Sequence, residues 1–146
     1  MTDATVIPLK IWQDPQGEVV LHYSERECSV FFLCWQNSGE PADYIGHLSF
    51  DHAHAVRSYS REFLPYRLPA HKHHSYILSI SDSELVREHT EYRKSRYPQW
   101  PSRTTPIHFV VVGHDIYHEI LADGYSATTI KKDELTDSML IKQLGS

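Results

Sequence analysis

The sequence predicts an α+β fold: an antiparallel, strongly curved sheet or half-barrel of about seven strands, with one long helix and a C-terminal helix. Three observations carry that expectation. Segments rich in β-branched and aromatic residues follow one another up to residue 80, separated by Pro, Gly, Asn and Asp clusters. One segment, 81–97, has the start and stop signals of a helix. Strand-like patterning then resumes over 107–130, ahead of a mixed tail. With 146 residues, 40% of them apolar and 23% charged, the chain fits a single domain, 1–146, with a real core.

The elements follow in order. "TVIPLKIWQD" opens a β-meander. In Asp14-Pro15-Gln16-Gly17, Pro presets φ and Gly tolerates any φ, which predicts a hairpin into "EVVLHYSE". "SVFFLCWQ" is apolar throughout, so both its faces should be covered. Residues 37–41 form a turn cluster. "DYIGHLSFDHAHAVRSYSREF" lacks a helical period and reads as one long bent strand or two short ones. Pro65 and Pro69 place "LPYRLPAHKHH" in a loop, and residues 75–80 form a short strand. The helix opens with Ser81 three residues before Glu84, a capping-box pattern. Asp82 and Glu84 suit its positive end, and Arg93, Lys94 and Arg96 its negative end. Leu85, Val86, His89 and Tyr92 or Arg93 make a narrow stripe, and Pro98 stops the run. "IHFVVV", "IYHEILA" and "YSATTI" read as three strands, with 123–125 turning the second into the third. The tail "KKDELTDSMLIKQLGS" suits a closing helix with Leu135, Met139 and Leu140 on one side.

A net charge of -5 is a poor match to nucleic acid or an anionic membrane, both of which need clustered Lys and Arg. No apolar run approaches the roughly 20 residues that span a bilayer, and "MTDATVIPLK" has no basic n-region or apolar h-region. The expectation is a cytoplasmic protein. Cys28 and Cys34 fall on one strand, about 20 Å apart, too far to bridge, and read as buried thiols. Signatures of P-loop, dinucleotide, zincin and α/β-hydrolase chemistry are absent from the sequence.

Eleven histidines are the unusual feature. In "IHFVVVGHDIYHE", His114 and His118 have the spacing of a helical metal pair. "FVVV" is strand-forming and Gly113 breaks the run, so a hairpin fits better. With Gly113 and His114 at the turn, Val112 pairs with Asp115, Val110 with Tyr117 and His108 with Glu119. His108, Val110, Asp115, Tyr117 and Glu119 then share one face. Ile107, Phe109, Val111, Ile116, His118 and Ile120 share the other, which looks like core. His108 and Glu119 are candidate catalytic residues, because a His oriented by a carboxylate can act as a general base; the plainer role is a cross-strand polar pair. His52 and His54, at i and i+2 on one strand face about 6.6 Å apart, are the candidate metal ligands, with a third from His71, His73 or His74. Arg93, Arg96, Tyr97 and Trp100 gather residue types favoured at protein interfaces and are the candidate binding residues.

Two resemblances follow from these motifs. Gly46, His52 and His54 resemble the first cupin motif, which implies a metal-binding β-barrel with His52 and His54 as ligands. The motif's glutamate is replaced by Ser58 and Tyr59, the first Glu is Glu62, and no second cupin motif occurs. "SDSELVRE" followed by "PIHFVVVGHDIYHEILADGYSA" resembles a group of small uncharacterised bacterial proteins. In these, a helix opening with Asp-Ser precedes a His-Tyr…His-Asp…Glu-Val-Leu-Ala hairpin; here Phe109 stands for the Tyr and Ile120 for the Val. That likeness covers about a third of the chain and implies a bacterial α+β domain with no known activity.

The leading expectation is a non-enzymatic protein-binding or self-associating module without a cofactor, its partner a protein or a second copy. The alternative is a small-molecule-binding protein or enzyme that uses a divalent transition metal at His52 and His54. Metal-free acid–base catalysis by His108 with Glu119 stands third.

Overall fold

The computed structural model describes residues 4–37, 39–68, 74–99 and 105–145. The strands are β1 (Ala4–Val6), β2 (Trp12–Gln13), β3 (Val19–Tyr23), β4 (Cys28–Asn37), β5 (Glu40–Asp51), β6 (Ala55–Ser60), β7 (Ile77–Ile80), β8 (Ile107–Val112), β9 (Ile116–Ala122) and β10 (Gly124–Lys131). Helix α1 is Glu84–Arg96 and α2 is Ser138–Gln143. All strand pairings are antiparallel. One sheet has the order β1-β7-β8-β9-β6; the other has β10-β5-β4-β2, with β3 also on β4.

The antiparallel, sheet-rich α+β class therefore holds. The single curved sheet of about seven strands does not: among the described residues ten strands form two sheets. Alternation explains the difference. Val30, Phe32, Cys34, Leu48 and Phe50 of one sheet pack against Ile77, Phe109, Val111, Ile120 and Ala122 of the other, and all are buried. The opposite faces are also covered. Leu78, Ile80, Val110, Val112 and Tyr117 lie under Tyr66, Leu64 and Leu68. Val20, Phe31 and Ile45 lie under Leu140 and Leu144 at the end of the chain. Apolar residues on both faces of β4 and β8 thus mark strands enclosed on both sides.

Several local expectations need correction. The turn at Asp14 forms, with the Gly17 N–H donating to the Asp14 carbonyl at 3.2 Å, but it makes no hairpin. Trp12 pairs with Trp35 and Val19 with Phe32, so β2 and β3 lie end to end along β4 as one interrupted edge. Residues 123–125 do not join a hairpin either. β9 belongs to one sheet and β10 to the other, where it pairs with β5. The long segment after residue 42 divides into β5 and β6, also in different sheets. The N-cap of α1 is Ser83, which accepts from the Val86 N–H at 3.1 Å. Asp82, at φ 51, sits just outside the helix, which therefore begins later than a Ser81 cap would place it. Within α1 only Leu85 is buried, and His89 and Tyr92 are exposed. The closing helix is short because β10 continues to Lys131; Leu140 is buried, but Met139 is exposed. Asp137 caps it by accepting from the N–H groups of Met139 and Leu140.

Cys28 and Cys34 are free and buried. Burial, with a contribution from Glu27, pushes the Cys28 thiol up to about 11, and burial pushes Cys34 up to about 12.

Candidate functional site

β8 and β9 are the centre of the first sheet and present two faces. Their register pairs Val112 with Tyr117, Val110 with Glu119 and His108 with Leu121. The connection is two residues longer than a two-residue turn, closed by the Gly113 N–H on the Ile116 carbonyl at 2.9 Å. A shift of two residues preserves side-chain direction. The expected faces therefore survive for the strand interiors, while Ile107 and Ile116, expected in the core, are exposed and Asp115 lies in the turn; His108 meets Glu119 as a diagonal neighbour, not a direct one. Gly113 fits a crowded spot, where a Cβ would come within 2.9 Å of the Val19 Cγ2.

On the outer face Glu119 is fully buried and accepts from three donors. These are His108 Nε2 at 3.0 Å, the Tyr66 hydroxyl, and Arg57 Nε from the neighbouring β6. Burial alone would raise the Glu119 carboxyl. The hydrogen bonds from His108, Arg57 and Tyr66, together with the Arg57 charge, outweigh burial and bring it down to about 2. Burial and the adjacent carboxylate push the Tyr66 hydroxyl up, which keeps it a donor. With Nε2–H given to Glu119, His108 Nδ1 accepts from Ser83 Oγ at 2.7 Å, and Ser83 Oγ accepts from Val86 N–H.

Hydroxyl, imidazole and carboxylate in series is an arrangement that can activate a nucleophile. Here the hydroxyl already caps α1, Ser83 is 6% exposed, and the carboxylate is divided among three donors. What the geometry does is fasten α1, the 64–68 segment and β6 to one buried charge. It also fixes Arg57, whose side chain is 42% exposed. The Arg57 guanidinium lies 5.7 Å from the centre of the Tyr59 ring, Tyr59 stacks on Tyr117, and the Tyr117 hydroxyl donates to the Phe63 carbonyl. Tyr59 and Phe63 are exposed. Arg57, Phe63 and Ser83 escaped sequence reasoning, whereas Tyr59 and Tyr66 stand out in the sequence among the loop-flanking aromatics of an interaction surface; the alternation of "AVRSYS" hinted that Arg57 and Tyr59 share a face.

The other predicted residues lie apart. His52 and His54 are not on a strand face but in the corner between β5 and β6, His52 at φ 49. Both turn to Asp123: His54 Nε2 lies 3.0 Å from its Oδ1 and His52 Nδ1 3.4 Å from its Oδ2. Of the expected third ligands, His74 stacks on Trp12, while His71 and His73 lie outside the described residues. Among the described residues, the group of three side chains whose ligand atoms lie within 4.8 Å of one another is Glu18, His114 and Asp115. His118 faces the other sheet, its Nε2 3.4 Å from the Val19 carbonyl and its Nδ1 2.6 Å from Ser58 Oγ; burial lowers its pKa. Arg93 and Arg96 lie in the last turn of α1 with Tyr97 as its C-cap, and Trp100 is outside the described residues.

No known protein family, curated protein or solved structure matches the chain. No helix among the described residues is long and apolar enough to cross a membrane.

Proposed function

We propose that this chain is a non-enzymatic binding module that takes up an extended acidic protein segment along β6. The observation that carries this reading is the Arg57–Tyr59–Phe63 surface, held rigid from below by the buried Glu119. Arg and Tyr are the residue types that dominate interfaces, and a fixed side chain loses little entropy on binding. Among the described residues β6 pairs with β9 alone, at the end of its sheet, so its other edge can offer backbone donors and acceptors to an added strand. Local charge favours an acidic partner: 55–68 holds three arginines and one glutamate, with Glu119 already balancing Arg57.

The test is an NMR titration of the full chain with an alternating Asp-Val peptide and with its Lys-Val counterpart. Binding of the acidic peptide at the β6 amides, lost in Arg57→Gln and Tyr59→Ala but kept in an Arg93→Ala/Arg96→Ala variant, supports the reading. Equal response to both peptides, loss only in the α1 variant, or a dimer that Ser58→Pro dissociates would overturn it.

A further inference from the structure

A second site lies at the β8–β9 turn. A cleft of about 300 Å³ opens between that turn and the 13–16 segment, walled by Gln13, Gln16, Arg61, Tyr76, Gly113 and His114. Its back is rigid: Gln13 donates to the Val112 carbonyl at 2.8 Å and accepts from the Tyr76 N–H at 3.0 Å. Arg61 enters as a cation. Its Nη1 donates to the Gly113 carbonyl at 3.2 Å, which fixes the guanidinium and uses one of its five donors. His114 lines the cleft and also belongs to the carboxylate group beside it. Its Nδ1 is 3.1 Å from Asp115 Oδ1, and Glu18 Oε1 accepts the Asp115 N–H at 3.1 Å. The Arg61 and Asp115 backbones are themselves bonded, at 2.8 Å. A cationic side chain therefore lines one small, open cavity, and the Glu18 and Asp115 carboxylates stand beside His114, outside its lining.

We infer that this cleft binds a small zwitterion of the α-amino acid class, its carboxylate on Arg61 and its ammonium on Asp115 and Glu18. An anion alone would meet the two carboxylates, and an organic cation alone would meet Arg61; a ligand bearing both charges satisfies both ends. The volume is at the lower end of small-molecule sites and suits a ligand of a few heavy atoms. This inference does not rest on the β6 reading; Arg61, counted in the positive charge of 55–68, is the residue that the two share.

The experiment is an NMR titration of the ¹⁵N-labelled full chain with L-alanine, acetate, methylammonium, zinc chloride and calcium chloride. L-alanine should shift the Arg61, Gly113, His114 and Gln16 amides and saturate in the millimolar range, with acetate and methylammonium about tenfold weaker or more. Arg61→Gln and Asp115→Asn should each weaken L-alanine by about tenfold. Asp115, 73% exposed, should leave the thermal midpoint unchanged when substituted, which separates loss of binding from loss of fold. Acetate matching L-alanine, no shift with L-alanine, or zinc or calcium saturating these amides while L-alanine does not, would overturn the assignment.

Discussion

At the scale of single residues, Glu119 couples burial to charge. A carboxylate enclosed this fully is tolerated because three donors converge on it. Glu119→Gln keeps the shape, removes the charge and leaves Arg57 and His108 poorly paired. A loss of about 3 kcal/mol at pH 7 is expected. The folded-state value, about 2, lies below the ordinary 4.5, so the unfolded chain binds more protons in acid. The carboxylate's contribution is complete above about pH 4.5 and is lost as pH falls towards 2. Urea unfolding at pH 7, 4 and 3 should show the gap between the natural chain and the variant closing; a constant gap would contradict this account. Little of the network was legible in sequence. His108 and Glu119 are eleven positions apart on adjacent strands, whereas Tyr66 and Arg57 reach Glu119 across 53 and 62 positions. Strand periodicity says nothing about separations of that kind.

At the scale of elements, the β4–β5 pairing shows why one glycine is needed. Gly46 lies opposite Phe32, and a Cβ there would come within 2.3 Å of the Phe32 ring. Gly46→Ala should destabilise by about 1–3 kcal/mol through overpacking. In a Phe32→Ala background the same change should cost much less, and a double-mutant cycle from denaturation curves measures the difference. Additive costs would mean that Gly46 serves the backbone and not the ring. The Gly46 of the cupin-like motif is thus explained by packing within this sandwich. Where the strands lie was legible in part, with "TVIPLKIWQD" dividing into β1 and β2; the faces of β8 and β9 were legible because alternation is local and survives an even shift of register. Sheet membership was not: "DGY" resembles a hairpin turn, yet it carries the chain across the sandwich.

At the scale of the molecule, His118 joins the sheets by bonding Ser58 of β6 and the Val19 carbonyl of β3. His47, stacked on Phe31, is half-buried on the second sheet. Burial lowers both imidazoles below 6.5, so charging them opposes folding. Stability should therefore begin to fall as pH drops below about 6.5, before the Glu119 window is reached. Thermal midpoints from pH 8 to pH 5 should decline, and His118→Gln should flatten the decline. A flat profile for the natural chain would exclude this role for His118.

The enclosure of β4 on both faces also bears on how the chain is made. β4 leaves the ribosome before Phe109, Val111 and Ile120, which cover one face, and before Leu140 and Leu144, which cover the other. Until then the nascent protein carries β4 paired with its strand neighbours but with neither face covered by these residues. That uncovered apolar strand is the part of the nascent chain most exposed to aggregation before the sandwich closes.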